Sequence, residues 1–325
     1  MDRSDIAIDV QELVKVYRPR SGPPVRALDS LTLQALRGEI FGLLGRNGAG
    51  KTTLLRILTT LVLPTSGAVS VLGFDVVHRS YDIRKNLCVV LQENAVELFL
   101  SVSDNLSTYA RFHSVPRHEI PSRIDRVVDQ FGLAEHRNQK VIDLSGGLKR
   151  RVQVAKVFMV DKPLVFLDEA TTGMDPINKR ATLDAIRDQA KAGRTIFLTT
   201  HILQEAEELC DTIAIIDRGR LIATGNLPKI KSLVPNVFEI SITFQSLTEA
   251  LLTDIRRLPF IKFSQTRTTI EATIRADDLV ALEALSRLAQ RESVLHLEVH
   301  SATLEDVFLE LLRDSPSPSA KENGP

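Results

Sequence analysis

The chain has two cysteines among its 325 residues, Cys88 and Cys210. They stand far apart and form neither a metal-ligand nor a redox spacing, so no such site is built on them. Cys88 lies in the apolar run Leu87 to Leu91 and Cys210 ends a predicted helix, so both are expected as buried thiols, as in a reducing compartment. The chain also lacks net charge, with 41 Lys and Arg against 41 Asp and Glu. It therefore has no strong overall positive field, and without a basic block a nucleic-acid partner is not expected. No apolar run reaches the roughly 18 residues needed to cross a bilayer. If the protein works at a membrane, another chain must do the spanning. The polar, acidic start Met1 to Asp5 predicts no secretory signal. There is no internal repeat and no long coiled coil.

What is present begins with Gly45-Arg46-Asn47-Gly48-Ala49-Gly50-Lys51-Thr52-Thr53, a full G-x-x-x-x-G-K-[ST] phosphate-binding loop. The apolar run Ile40 to Leu44 before it reads as a buried strand, and Thr53 to Leu63 after it as a helix. Strand, glycine loop and helix together turn the pattern into a structural expectation. Glycines let several backbone N–H groups converge on one anion, and the helix N-terminus adds its positive end. Lys51 can reach the β- and γ-phosphates, and the Thr52 hydroxyl can hold Mg²⁺.

Elsewhere, strands are expected at Ile6 to Tyr17, Val25 to Leu36, Gly67 to Gly73, Leu87 to Gln92 and Leu164 to Leu167. Others are expected at Thr195 to Thr200, Ile213 to Ile216 and Leu221 to Thr224. Ser101 to Leu133 reads as helical, with Ser101 and Asp104 as a capping pair, and Gly146 to Val160 as a further helix. Asp175-Pro176 is a good helix start. The alternation predicts an α/β domain over 1–227: a mainly parallel sheet, an antiparallel β portion first, and a helical insert at about 93–160. From Pro235 the order becomes β-α-β-β-α-β, which predicts a small, ferredoxin-like α+β domain over 235–313. Its second helix is expected at Ala276 to Gln290. The Ser- and Pro-rich residues 314–325 read as a disordered tail.

Leu164 to Leu167 delivers Asp168 and Glu169 to the C-terminal end of a buried strand, where open α/β sheets bind ligands. Asp168 suits the organisation of Mg²⁺ and Glu169 the orientation of an attacking water. Ser145-Gly146-Gly147 opens a helix, and its hydroxyl and free N–H groups make another anion cradle.

GRNGAGKTT, Gln92, LSGGL (Leu144 to Leu148), LVFLDE, Thr172-Gly173-Met174-Asp175 and His201 occur in the order of an ATP-binding cassette, or ABC, ATPase. The chain resembles that family from about Ile6 to Leu227. The resemblance implies the phosphate-loop NTPase fold, ATP and Mg²⁺ as cofactors, and ATP hydrolysis. It assigns Tyr17 to stacking on adenine, and Gln92 to Mg²⁺, the attacking water and the membrane partner. It assigns His201 to the γ-phosphate, and Asp175 to a loop that links two sites across a dimer. Leu148 stands where many members carry Gln, which removes a polar contact but keeps Ser145 and Gly147.

The resemblance further implies a homodimer, or a pair with a related ATPase, that encloses ATP between the Ser145 cradle of one copy and the phosphate loop of the other. It implies a separate transmembrane permease, and hence a cytoplasmic protein peripheral on the inner face of the membrane. Glu93 to Leu100 is a candidate docking surface if Phe99 and Leu100 face outward rather than pack inside. Single-cassette chains with such an extension resemble the ATP-binding subunits of daunorubicin-type drug and antibiotic exporters, and Thr303 to Phe308 resembles the closing motif of that subgroup. The extension would then dimerise or regulate the ATPase. A soluble, non-transport cassette ATPase of DNA repair or translation is the alternative.

Overall fold

The structure is a computed structural model that describes residues 5–91, 95–234, 237–258, 260, 262–275, 283, 294–301 and 303–313. It divides into two compact units, the first ending at Asn226 and the second starting at Leu227.

In the first unit, β1 (Ile6–Tyr17), β2 (Val25–Leu36), β4 (Ser66–Val71) and β5 (Phe74–Asp75) form an antiparallel sheet in the order β2-β1-β4-β5. A six-stranded sheet uses β3 (Ile40–Leu44), β6 (Leu87–Val90), β7 (Leu164–Asp168), β8 (Thr195–Thr200), β9 (Thr212–Asp217) and β10 (Arg220–Gly225). Its order is β10-β9-β3-β8-β7-β6. All its pairings are parallel except β10 with β9. Every residue of β3, β7 and β8 is buried. Continuous apolar runs are what strands covered on both faces require. Phe41, Phe166 and Phe197 meet in the core, with Phe41 stacked on Phe197 at 5.1 Å between centroids.

The helix after the phosphate loop, α1, spans Lys51–Leu58 and is shorter than its pattern predicts. Thr60, at φ 62°, turns the chain out of the helix, and Leu61 and Leu63 are exposed. After α2 (Ser80–Lys85), the stretch read as one helix from Ser101 to Leu133 is broken into α3 (Val102–Phe112) and α4 (Ile120–Gln130). Ser114 adopts φ 59°, and Pro116 bars its predecessor from helical geometry and has no N–H to donate. The Ser101 cap is present: its Oγ accepts from the Asp104 N–H at 3.0 Å. Helices α5 (Gly146–Val157), α6 (Pro176–Lys191) and α7 (Leu203–Leu209) complete the unit. Ahead of α3, Phe99 is 76% exposed while Leu100 is half-buried. Leu98 and Leu100 accept from the N–H groups of Ile142 and Val141, which fixes this stretch against the turn before α5.

The second unit opens with a helix its sequence did not announce, α8 (Leu227–Ser232). Strands β11 (Val237–Phe244), β12 (Lys262–Thr266), β13 (Thr269–Arg275) and β14 (Val294–Ser301) form an antiparallel sheet in the order β12-β13-β11-β14. Helix α9 (Glu249–Arg256) packs Leu251, Leu252 and Ile255 with Ile240, Ile242 and Ile270 of the sheet, and α10 (Leu304–Arg313) follows β14. The sheet order is the one a β-α-β-β-α-β chain produces when each helix crosses one strand position. The helix expected at Ala276 to Gln290 lies outside the described residues apart from Glu283, and the tail 314–325 lies outside them altogether.

Candidate functional site

The phosphate loop leaves β3 and is pressed between β2 and the β9–β10 turn. A Cβ on Gly45 would sit 2.5 Å from the Ile216 carbonyl oxygen, and one on Gly50 would sit 2.7 Å from that of Ala27. Gly50 also adopts φ +109°, so glycine is required there on two counts. The turn after β9 clamps the loop: Gly219 donates to the Ala49 carbonyl at 2.9 Å and accepts from the Asp29 N–H at 2.9 Å. Helix α1 begins behind Gly50 with no side-chain cap. Its first-turn amides therefore have no side-chain acceptor, which suits an anion.

Lys51 is only 6% exposed. Its Nζ donates to the carbonyls of Gly45 and Arg46 at 2.7 and 3.3 Å and lies 4.0 Å from Glu169 Oε1. Burial lowers the Lys51 pKa, and the charges of Glu169 and Asp168 oppose that shift.

Asp168 ends β7 and is 1% exposed. Its Oδ1 accepts from the Thr199 hydroxyl on β8, while Oδ2 is buried with no hydrogen-bond donor. Burial pushes the carboxyl pKa up, against the Thr199 hydrogen bond that favours the ionised form. A buried carboxylate oxygen without a donor is the group a hard cation would satisfy. Asp168, next to the cleft-lining Glu169, and Thr52 in the same lining thus offer oxygen donors of the kind that fits Mg²⁺.

Glu169 turns the chain with φ 49°, and its N–H donates to the Thr199 carbonyl at 3.0 Å. Its Oε1 lies 3.0 Å from His201 Nδ1. The cleft in front of these groups holds about 570 Å³ and is walled by Arg46, Asn47, Gly48, Gly50 and Lys51. Thr52, Thr53, Glu169 and the β2 residues Val25 to Ala27 complete it, with Arg218 opposite.

Ser145, Gly146, Gly147 and Asp175 are not part of this cleft. Ser145 caps α5 by accepting from the Leu148 N–H at 3.3 Å, and Asp175 caps α6 by accepting from the Asn178 N–H at 3.0 Å. The backbone and side-chain amides of Asn178 hold the Asp175 carboxyl below its usual pKa. The two caps adjoin, since a Cβ on Gly147 would lie 3.3 Å from Met174 Cα and 3.8 Å from the Asp175 nitrogen. Tyr17 ends β1 under the Lys15 ammonium, 5.0 Å from its ring centroid. It does not line the cleft, but its cross-strand partner Val25 does. Gln92 lies outside the described residues.

Four further residues belong to the site and were not singled out from sequence. Thr199 holds both members of the carboxylate pair, through the bonds already given. Glu205, 4% exposed, accepts from the hydroxyls of Thr171 and Thr200 and pairs with Lys179 at 2.8 Å. It thereby ties the His201 turn to the segment leading to Asp175. Arg218 walls the cleft, and Arg150 bonds the backbone behind Asp168 and Glu169. Only Arg218 carried a local signal, its place in a turn ending in Gly219.

The "ABC transporter" family model matches residues 28–172. The chain is 33% identical over 315 residues to the daunorubicin resistance ATP-binding protein DrrA3 of Streptomyces coeruleorubidus, covering 96% of this chain and 97% of the relative. The chain belongs to the ABC transporter family.

Within that family it is also similar to the Nod factor export ATP-binding protein I of Neorhizobium galegae, at 32% identity over 316 residues, 94% of this chain and 85% of the relative. A solved ATP-binding subunit of an ABC transporter superposes with a TM-score of 0.62 at 28% identity, over 70% of this chain and 92% of that one. This ABC chain is an ATPase, of a family that binds ATP. No helix among its described residues is long and apolar enough to cross a membrane.

Proposed function

We propose that this chain is the ATP-hydrolysing subunit of an exporter for a drug, antibiotic or lipid-like molecule, acting on a separate transmembrane permease. The observation that carries the catalytic part is the placement of Lys51 and His201 against Glu169 at the cleft wall, with the neighbouring Asp168 Oδ2 buried and without a donor. The names of the relatives, daunorubicin resistance and Nod factor export, support the exporter part.

The loop amides and Lys51 would hold the β- and γ-phosphates, with Arg46, Asn47 and Thr53 around them. Mg²⁺ held by Thr52, Asp168 and Gln92 would neutralise charge on the same oxygens. Glu169 orients a water and takes its proton as the oxygen bonds to the γ-phosphorus and ADP leaves with the bridging oxygen. His201 holds Glu169 on one side and meets the γ-phosphate on the other. Tyr17 offers its ring to adenine at the cleft rim.

Ser145, Gly146, Gly147 and Asp175 stand together but apart from the cleft, which supports a two-fold dimer in which they cover the nucleotide of the second copy. ATP then holds two copies together, and hydrolysis releases them. The exposed Phe99 supports docking of the permease through the stretch ending at Leu100, and would place the chain on the inner face of the membrane. The 235–313 unit is read as a dimerisation or regulatory module.

The test is the Glu169→Gln variant in MgATP. It is expected to bind ATP, lose phosphate release and run as a dimer by light scattering. Undiminished phosphate release would remove Glu169 from this role, and a monomer at saturating ATP would contradict the shared site.

A further inference from the structure

Arg150 sits in the second turn of α5 and is 6% exposed. Its guanidinium faces the sheet. Nη2 donates to the carbonyls of Asp168 and Glu169 at 2.6 and 3.1 Å, and Nε donates to that of Ala170 at 3.2 Å. One side chain thus holds three consecutive carbonyls of the turn that leaves β7. Nη1 donates to the Leu91 carbonyl at 2.8 Å and to Gln153 Oε1 at 2.9 Å. Gln153 in turn donates to Leu91 at 3.0 Å, so the exit of β6 is held by the same pair.

This turn needs holding. Glu169 adopts φ 49°, a left-handed conformation that a side-chain-bearing residue keeps only when its surroundings over-determine it. On its amide side the turn is fixed by the bond from Glu169 N–H to Thr199. On its carbonyl side the Thr172 N–H donates to the Glu169 carbonyl at 3.2 Å, and Arg150 supplies the side-chain donors. A planar guanidinium with five donors can serve several carbonyls at once, whereas a lysine ammonium is a single point. These hydrogen bonds go to backbone and amide oxygens, so they fix the course of the turn, while the guanidinium charge also favours the ionised Asp168.

From these contacts we infer that Arg150 is the positioning residue of the Asp168–Glu169 turn, setting where the Glu169 carboxylate stands and tying that position to the helix that Ser145 caps. Arg150 does not line the cleft and acts through Glu169. The inference rests on the role proposed for Glu169. It also says how a shift of α5 would be felt at the carboxylate pair: helix, guanidinium and turn move as one connected body.

The experiment compares full-length wild type, Arg150→Met, Arg150→Lys, Glu169→Gln and the double variant Arg150→Met/Glu169→Gln. Thermal unfolding and binding of a non-hydrolysable ATP analogue with Mg²⁺ are measured beside steady-state phosphate release. Arg150→Met is expected to bind the analogue within about threefold of wild type and to lose about tenfold or more in kcat, because a misplacement of the order of 1 Å is that damaging. Arg150→Lys is expected between the two. The double variant is expected to be no slower than Glu169→Gln alone, since Arg150 acts through that residue.

Unchanged kcat in folded Arg150→Met overturns the positioning role, as does a loss in the double variant that multiplies the two single losses. If Arg150→Met does not fold, Arg150→Lys decides on the same two numbers, and wild-type kcat there overturns the inference. Turnover retained in Glu169→Gln is a different failure, because it removes the role of Glu169 itself whatever Arg150 does.

Discussion

His201 Nδ1 lies 3.0 Å from Glu169 Oε1, and the two residues leave the ends of the adjacent parallel strands β8 and β7. Replacing His201 with Ala removes the only ring that holds this carboxylate among the bonds described, while the phosphate loop is untouched. The expected outcome is near-normal ATP binding with phosphate release lowered by about 10²-fold, within the usual range for a misplaced general base. Single-turnover phosphate release checks this against an equilibrium titration.

Asp168 is held against its own stability. Burial raises its carboxyl pKa, so the folded chain keeps a proton that the unfolded chain has released. The contribution of Asp168 to the stability of the ligand-free protein is therefore fully present below the unfolded value and is lost as pH rises from about 4 through the raised folded value. Asp168→Asn should stabilise the ligand-free protein by about 1–3 kcal/mol near neutral pH, by removing the buried charge. The gain should shrink toward pH 4 while ATP turnover is abolished throughout. Urea unfolding at several pH values measures it, and a destabilised Asn variant at neutral pH would contradict the account.

Gly50 and Gly48 separate strain from close approach. Both have positive φ, +109° and +83°, but a Cβ on Gly48 meets nothing within 4 Å, whereas one on Gly50 meets the Ala27 carbonyl at 2.7 Å. Gly48→Ala should cost about 1 kcal/mol in stability, from backbone strain alone. Gly50→Ala should cost more and weaken ATP binding by about tenfold or more, because the loop must shift. Thermal unfolding and ATP titration of the two variants give the comparison.

Gly42 and Cys210 make a packing pair outside the chemistry. A Cβ on Gly42 would lie 2.5 Å from Cys210 Sγ. Gly42→Ala should destabilise by about 1–3 kcal/mol, as overpacked cores do, and Cys210→Ala in the same chain should recover most of that. Additive losses in urea unfolding would show that the two side chains do not share the space.

Local features of the site were legible in the sequence because their physics is local. The phosphate loop lies between the strand and helix that position it. Asp168 and Glu169 follow directly from the apolar run that buries their strand, and Ser145 and Asp175 act as caps on residues three positions away. What escaped depends on partners distant in the chain. Arg150 reads as one cation in the run Lys149 to Arg151, and only the fold brings it to the backbone of Asp168. Thr199 and Glu205 look like ordinary strand and helix residues until β8 is laid beside β7. The break between α3 and α4 was carried by Ser114 and Pro116, and the apolar spacing on both sides masked it. The short α8 lacks the periodic length that distinguishes a helix from a linker.

The central claim is that ATP is gripped by the loop amides and the buried Lys51 ammonium. Isothermal titration of the full-length protein with ATP and Mg²⁺, wild type beside Lys51→Ala, tests it most directly. Saturable binding by wild type, weakened about tenfold or more in folded Lys51→Ala, is the predicted result. No binding by wild type, or equal affinity in the two proteins, would contradict it.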